Sequence, residues 1–147
     1  MCSSDLNIKI AIESYTPKNN RSQIIEKKSI KIILDAYNAN PSSMQVALEN
    51  FEQLKDNSKI VILGDMFELG ESSFEEHQYI ADLLENINLK QSFLIGSNFS
   101  KTTTKKASKF ESFSDFIKTV NLNDFKNSTI LIKGSRGMAL EQLLDYL

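Results

Sequence analysis

At 147 residues the chain has room for one ordinary domain with a real hydrophobic core and hardly for two. Its 41% apolar and 24% charged residues are those of a globular protein, and a formal net charge of -2 without a long Lys/Arg block argues against nucleic acid as the main partner. No apolar run approaches the roughly 20 residues of a membrane span, Met1 to Leu6 lacks a secretory signal, and the lone Cys2 allows no internal disulfide, so a reducing cytoplasm is the expected setting.

Along the chain, Ile8 to Tyr15 reads as a short helix ended by Pro17 and the polar Lys18-Asn19-Asn20. Residues 1–19 are expected to form a linker or helix of uncertain origin ahead of a domain over 20–147. Ser22 to Glu26 and Lys31 to Leu34 read as strands joined by Lys27-Lys28-Ser29. Asn40-Pro41 opens a helix, with Asn as the cap and Pro at the first helical position. Met44, Ala47, Leu48, Phe51 and Leu54 then recur at helical spacing as one buried stripe. Lys59 to Leu63 is a strand of the kind buried on both faces of a parallel sheet. After a loop from Gly64 to Gly70, Ser72 with Glu75 or Ser73 with Glu76 supplies a capping box. Ile80, Ala81, Leu84 and Ile87 form the inner face of the helix that follows.

Phe93 to Ile95 is another strand, ending at Gly96-Ser97. The polar stretch Lys101 to Lys109 resists assignment, and Lys101, Lys105, Lys106 and Lys109 fit a solvated surface. Ser114 or Asp115 opens a helix to about Val120. Thr129 to Lys133 is the last strand, and Leu140, Leu143, Leu144 and Leu147 place a final helix against the sheet. The alternation predicts an open, mostly parallel α/β sheet with helices on both faces and right-handed crossovers.

Ligands of such sheets bind beyond the carboxyl ends of the strands, where this chain puts its polar, glycine-containing segments. Asp35 at a strand end can accept from sugar hydroxyls. Asn38 and Asn40 carry donors and acceptors for a base edge or a phosphate, and the helix start at Pro41 favours an anion. Arg136, beside Gly134 and Gly137, can bind a carboxylate bidentately, and Arg21 can do the same for phosphate. Structural roles compete at each position. Asp35 and Asn40 also suit turn and cap, Gly64 and Gly70 suit backbone conformation, and Asp65 and Glu68 suit a solvated loop. His77 shares helical spacing with Ile80, Ala81 and Leu84, which favours a core-edge histidine. A salt bridge would explain Lys133 and Arg136. Phosphate-loop and dinucleotide glycine motifs are absent, as is Cys/His metal spacing.

Three segments carry a resemblance. Asp35-Ala36-Tyr37-Asn38-Ala39-Asn40-Pro41-Ser42-Ser43-Met44 resembles a signature of the MurF-type Mur ligases. Val61-Ile62-Leu63-Gly64-Asp65-Met66-Phe67-Glu68-Leu69-Gly70, with His77 after it, resembles their second. Ile132-Lys133-Gly134-Ser135-Arg136-Gly137-Met138, followed by Glu141, resembles their third. Asn20-Arg21-Ser22 is similar to the arginine linker where the family's last domain begins. The resemblance runs from about Asn20 to the end and covers that last domain alone; Met1 to Leu6 has no counterpart and fits an artificial or mispredicted start.

The resemblance implies a Rossmann-like fold and an ATP-dependent ligase of peptidoglycan precursor synthesis. The partners it implies are UDP-N-acetylmuramoyl-tripeptide and D-alanyl-D-alanine, joined through an acyl phosphate, with closure of this domain over a central one. Magnesium would be held mostly by that central domain and not here; a monomer, inactive by itself, is expected. By the same carry-over Arg21, Asp35, Asn38 and Asn40 would serve the nucleotide, and Lys133, Ser135 and Arg136 the dipeptide. Asp65, Glu68 and His77 would belong to a signature loop without an assigned step. Another Mur-type or folylpolyglutamate-type ligase domain, or a non-catalytic binding module of this fold, remains the alternative.

Overall fold

A computed structural model of the chain describes residues 23–27, 29–35, 39–55 and 58–147. The helix expected over residues 8–15, the domain boundary near Asn20, Arg21 and Asn38 lie outside them.

Six strands form one sheet. They are β1 (Gln23–Lys27), β2 (Ile30–Asp35), β3 (Lys59–Gly64), β4 (Gln91–Ile95), β5 (Ser108–Phe110) and β6 (Thr129–Lys133). The order across the sheet is β1-β2-β6-β3-β4-β5. Only the β1–β2 hairpin is antiparallel, and every other neighbouring pair is parallel. The central strands β3 and β6 are buried along their whole length, as their uninterrupted apolar runs require.

Helices α1 (Pro41–Glu52), α2 (Ser73–Glu85) and α3 (Ser97–Ser100) cover one face. Met44, Leu48, Phe51, Ile80, Ala81, Leu84 and Phe99 pack there on Val61, Leu63, Leu94 and Leu131. The opposite face holds α4 (Phe113–Thr119) and short 3-10 turns, whose Phe116, Phe125, Leu140 and Leu143 pack on Ile32, Ile60, Ile62, Phe93, Ile130 and Ile132. The open α/β sheet with layers on both faces is therefore present.

Several local expectations need correction. Ser72 makes no side-chain cap for α2; its hydroxyl donates to the Leu69 carbonyl instead, and a 3-10 turn over Gly70–Ser72 leads into the helix. Leu54 lies past the end of α1 and is 36% exposed, so it is no part of the buried stripe. The cap of α4 is Ser112, which accepts from the Asp115 amide. Residues 101–109 contain the start of β5. The final segment Leu140–Tyr146 is 3-10 rather than α, entered through Ala139 at φ 53°. Its leucine spacing satisfies both helix types, so burial of Leu140 and Leu143 is kept while the pitch differs.

Chain direction makes a switch point at β6. The connection from β2 to β3 passes over the α1 face, whereas the chain after β6 turns to the face holding Leu140 and Leu143. A crevice for a ligand opens at the carboxyl ends of strands in such a place.

Candidate functional site at the carboxyl edge

Register places the edge residues level with one another. Asp35 is opposite Lys133 across β2 and β6, and Lys133 is opposite Leu63 across β6 and β3. The Lys133 ammonium lies 2.8 Å from the Asp35 carboxylate, with the lysine 2% and the aspartate 20% exposed at the side chain. This ion pair is sunk into the edge, so for Lys133 a salt bridge is present, part-buried rather than on the surface. A pair like this tolerates burial because each charge neutralises the other.

Beside it, the loop after β3 and the turn after β6 are bonded together. The Ser135 amide donates to the Asp65 carbonyl at 3.2 Å, and the Phe67 amide donates to the Ser135 hydroxyl at 2.9 Å. Glycines allow the approach. A Cβ on Gly134 would stand 3.1 Å from the Gly64 Cα and 2.9 Å from a Leu140 methyl, and one on Gly137 would meet the Phe67 ring at 2.6 Å. Arg136 is exposed on this turn.

Asp65 is 2% exposed rather than solvated. Its carboxylate accepts from the Asn98 and Phe99 amides at 2.9 and 3.0 Å, and its own amide donates to Ile95 at 3.1 Å. One residue thus joins the ends of β3, β4 and β6. Gly96, at φ 131°, is bound to be glycine, since a Cβ would fall 2.2 Å from the Asp65 carboxyl carbon. Glu68 is exposed, in a left-handed turn conformation at φ 66°.

His77 is fully buried, a core histidine, and its Nε2 accepts from the Met66 amide at 2.9 Å. Asn40 caps α1, accepting from the Ser43 amide at 2.8 Å while its own amide donates to the Ser43 hydroxyl at 3.0 Å. Its side-chain oxygen is held by the cap, which leaves its NH2 as the group able to meet a ligand.

The edge therefore gathers Asp35, Asn40, Asp65, Lys133, Ser135 and Arg136 from segments far apart in sequence. Phe67, whose amide and ring lock the two loops, was not singled out in the sequence; the glycine after Arg136 was its one available signal. Among the described residues no group of three or more His, Cys, Asp or Glu is arranged to hold a metal ion, and no helix is long and apolar enough to cross a membrane.

Known proteins are similar to this chain over most of its length. A family model described as "Mur ligase, glutamate ligase domain" matches residues 20–136. The UDP-N-acetylmuramoyl-tripeptide–D-alanyl-D-alanine ligase of Buchnera aphidicola subsp. Baizongia pistaciae is 34% identical over 145 residues, covering 95% of this chain and 31% of that protein. The ligase of the same name from Rickettsia prowazekii is 33% identical over 131 residues, covering 86% of this chain and 29% of its own length. Among solved structures, MurF from Acinetobacter baumannii superposes with a TM-score of 0.77 at 26% identity, over 91% of this chain and 31% of that one. MurF ligase from Thermotoga maritima in complex with ADP superposes with a TM-score of 0.71 at 25% identity, over 90% and 31%. The chain spans about three-tenths of the length of these relatives.

Proposed function

The chain belongs to the Mur ligase family, as its glutamate ligase domain, and from that premise we propose that it serves the ATP-dependent joining of D-alanyl-D-alanine to UDP-N-acetylmuramoyl-tripeptide. The observation that carries this reading is the carboxyl edge, where the Asp35–Lys133 pair stands level with the Ser135–Arg136 turn. In this reading the terminal carboxylate of the tripeptide takes the γ-phosphoryl group of ATP to give an acyl phosphate. The amine of the dipeptide then attacks the acyl carbon, phosphate departs, and the amine proton is released.

This domain supplies positioning and charge. Arg136 is exposed and suited to a bidentate grip on the dipeptide carboxylate, with Lys133, paired to Asp35, at the end of the strand that leads to it and Ser135 fixing the turn. Asp35, part-exposed at the rim, suits ribose hydroxyls. Asn40 has its NH2 for the nucleotide, and Arg21 and Asn38 complete the nucleotide set by their place in the signature segments. The edge fits a nucleotide in donor and acceptor types. In this reading magnesium is held mostly by the remainder of the ligase. Setting is the cell interior, where such precursors are made.

The test joins this chain to the preceding domains of one of the relatives and follows phosphate release with ATP, magnesium, UDP-N-acetylmuramoyl-tripeptide and D-alanyl-D-alanine. Release should depend on the dipeptide, and Arg136→Ala should lower kcat/KM for it by about a hundredfold, the loss of one charge-assisted bidentate contact. A well-folded joined protein without dipeptide-dependent release would leave a binding module of the same fold.

A further inference from the structure

The buried histidine of α2 has a defined job that the ligase reading does not use. Its Nδ1 lies 2.6 Å from the Ser73 carbonyl oxygen, which can only accept, so Nδ1 carries the proton. Its Nε2 faces the Met66 amide at 2.9 Å, which can only donate, so Nε2 is bare. The next amide, Phe67, is the one bonded to the Ser135 hydroxyl, and Ser135 returns a bond to Asp65. Met66 therefore sits between two residues that are tied to the turn bearing Arg136. The imidazole is fully buried with the Phe99 ring edge-on at 4.6 Å, and it cannot touch a ligand itself. The Asp65 carboxylate, 3.9 Å from Nε2, already receives the Asn98 and Phe99 amides.

We infer that His77 is a positioning residue: as the neutral Nδ1–H tautomer it fixes the loop after β3 and, through Phe67 and Ser135, the turn that presents Arg136. The link to dipeptide binding rests on the ligase reading; the link to the turn does not.

Two substitutions separate the ring's bonds. His77→Asn can keep a donor toward Ser73 but loses the acceptor for Met66, whereas His77→Gln places an oxygen near the position of Nε2. In the chain as it stands, amide hydrogen exchange at Met66, Phe67 and Ser135 should quicken by about ten-fold in the Asn version, the effect of one buried donor left unpaired. Ile130 and Ile132 in β6 should not change, and the Gln version should recover protection. In the joined ligase the Asn version should raise KM for the dipeptide by about ten-fold, with kcat and KM for ATP within about two-fold.

Unchanged exchange at Phe67, quickening shared by β6, or equal loss in kcat and both KM values would overturn the inference. Should the Asn version not fold, nitrogen NMR of the natural chain decides, since an imidazolium or an Nε2–H tautomer is incompatible with it. If the joined protein of natural sequence releases no phosphate, the ligase reading falls, and the exchange pattern alone decides on His77.

Discussion

Lys59 and Lys133 are both buried on the α1 face of the sheet, one at its amino edge and one at its carboxyl edge, and they are satisfied in different ways. Lys59, 8% exposed, donates to the carbonyls of Phe51, Glu52 and Leu54 at 3.3, 2.9 and 3.0 Å. The Phe51 and Glu52 carbonyls lie in the last turn of α1 and that of Leu54 just beyond it, so the ammonium meets the negative end of the helix dipole. Its ring neighbour Phe51, 5.8 Å away, adds a cation–π contact. Lys133 is paired instead with a side chain, Asp35, that keeps a fifth of its surface in water. Backbone carbonyls cannot be exchanged for a ligand, whereas a part-exposed carboxylate can share its cation with one. The amino-edge lysine is tied to the end of α1, whereas the carboxyl-edge pair keeps one partner in water.

Removing Lys133 gives the largest expected effect on that contrast. Lys133→Met leaves Asp35 facing an apolar chain; a fully buried pair broken this way costs about 3–5 kcal/mol, and water at Asp35 lowers the figure to about 2 kcal/mol. Urea denaturation of the chain measures it. Adding Asp35→Leu should recover most of the loss, because the carboxylate deprived of the lysine is removed with it. Dipeptide-dependent phosphate release by the joined ligase should stay low in both versions. If release returned together with stability, the carboxyl-edge pair would be a structural fitting like the one at Lys59, and the contrast would collapse.

Lys59→Met comes next. Its carbonyls lie at a helix end that water can reach in part, so the loss should be about 1–2 kcal/mol by the same denaturation measurement. KM and kcat of the joined ligase should not move once the protein is folded. A rise in KM for ATP or the dipeptide would show that the position of α1 is transmitted to the carboxyl edge, and the two lysines would then belong to one system.

The fold was readable where burial dictates residue type over several positions. Thr129 to Lys133 and Lys59 to Leu63 are unbroken runs because β6 and β3 are covered on both faces, and the stripe Met44, Leu48, Phe51 marks the inward side of α1. β5 escaped because its three residues are exposed or half-buried at the sheet's rim; of the three, Phe110 packs on the core, against Phe93 and Phe116, and one apolar residue does not mark a strand. At the edge, residue types and segments were legible, and the core-edge place expected for His77 proved to be fully buried. Their joint arrangement was not: the carboxylate of Asp65 is answered by amides 33 and 34 residues away, a pairing that only the neighbouring ends of β3 and β4 create. Likewise Asn40-Pro41 announced a helix start in one stretch of chain, while the Phe67–Ser135 bond spans 68 residues and leaves no local mark.

The smallest expected effect extends the Lys59 solution to the opposite charge. Glu85, at the surface end of α2, accepts from the Thr104 hydroxyl, from the Lys105 amide at 2.7 Å and from the Lys106 amide at 3.2 Å. The Thr104 hydroxyl first, and then the two amides, hold its carboxyl below the ordinary glutamate range. A group ionised more readily in the folded chain than in the unfolded one stabilises the fold above its unfolded pKa, and that contribution fades as pH falls through the folded value. Glu85→Ala should therefore melt below the natural chain near neutrality, by a small margin because the carboxylate is solvated. The margin should close on acidification below the ordinary glutamate range. Melting curves of both versions between about pH 7 and about pH 3 would read this, since that interval spans the ordinary carboxylate titrations. A margin that persisted at the acid end would mean that Glu85 acts through packing of residues 104–106 rather than through its charge. Satisfaction by backbone, as at Lys59, would then be a matter of shape at this position and of electrostatics at the other.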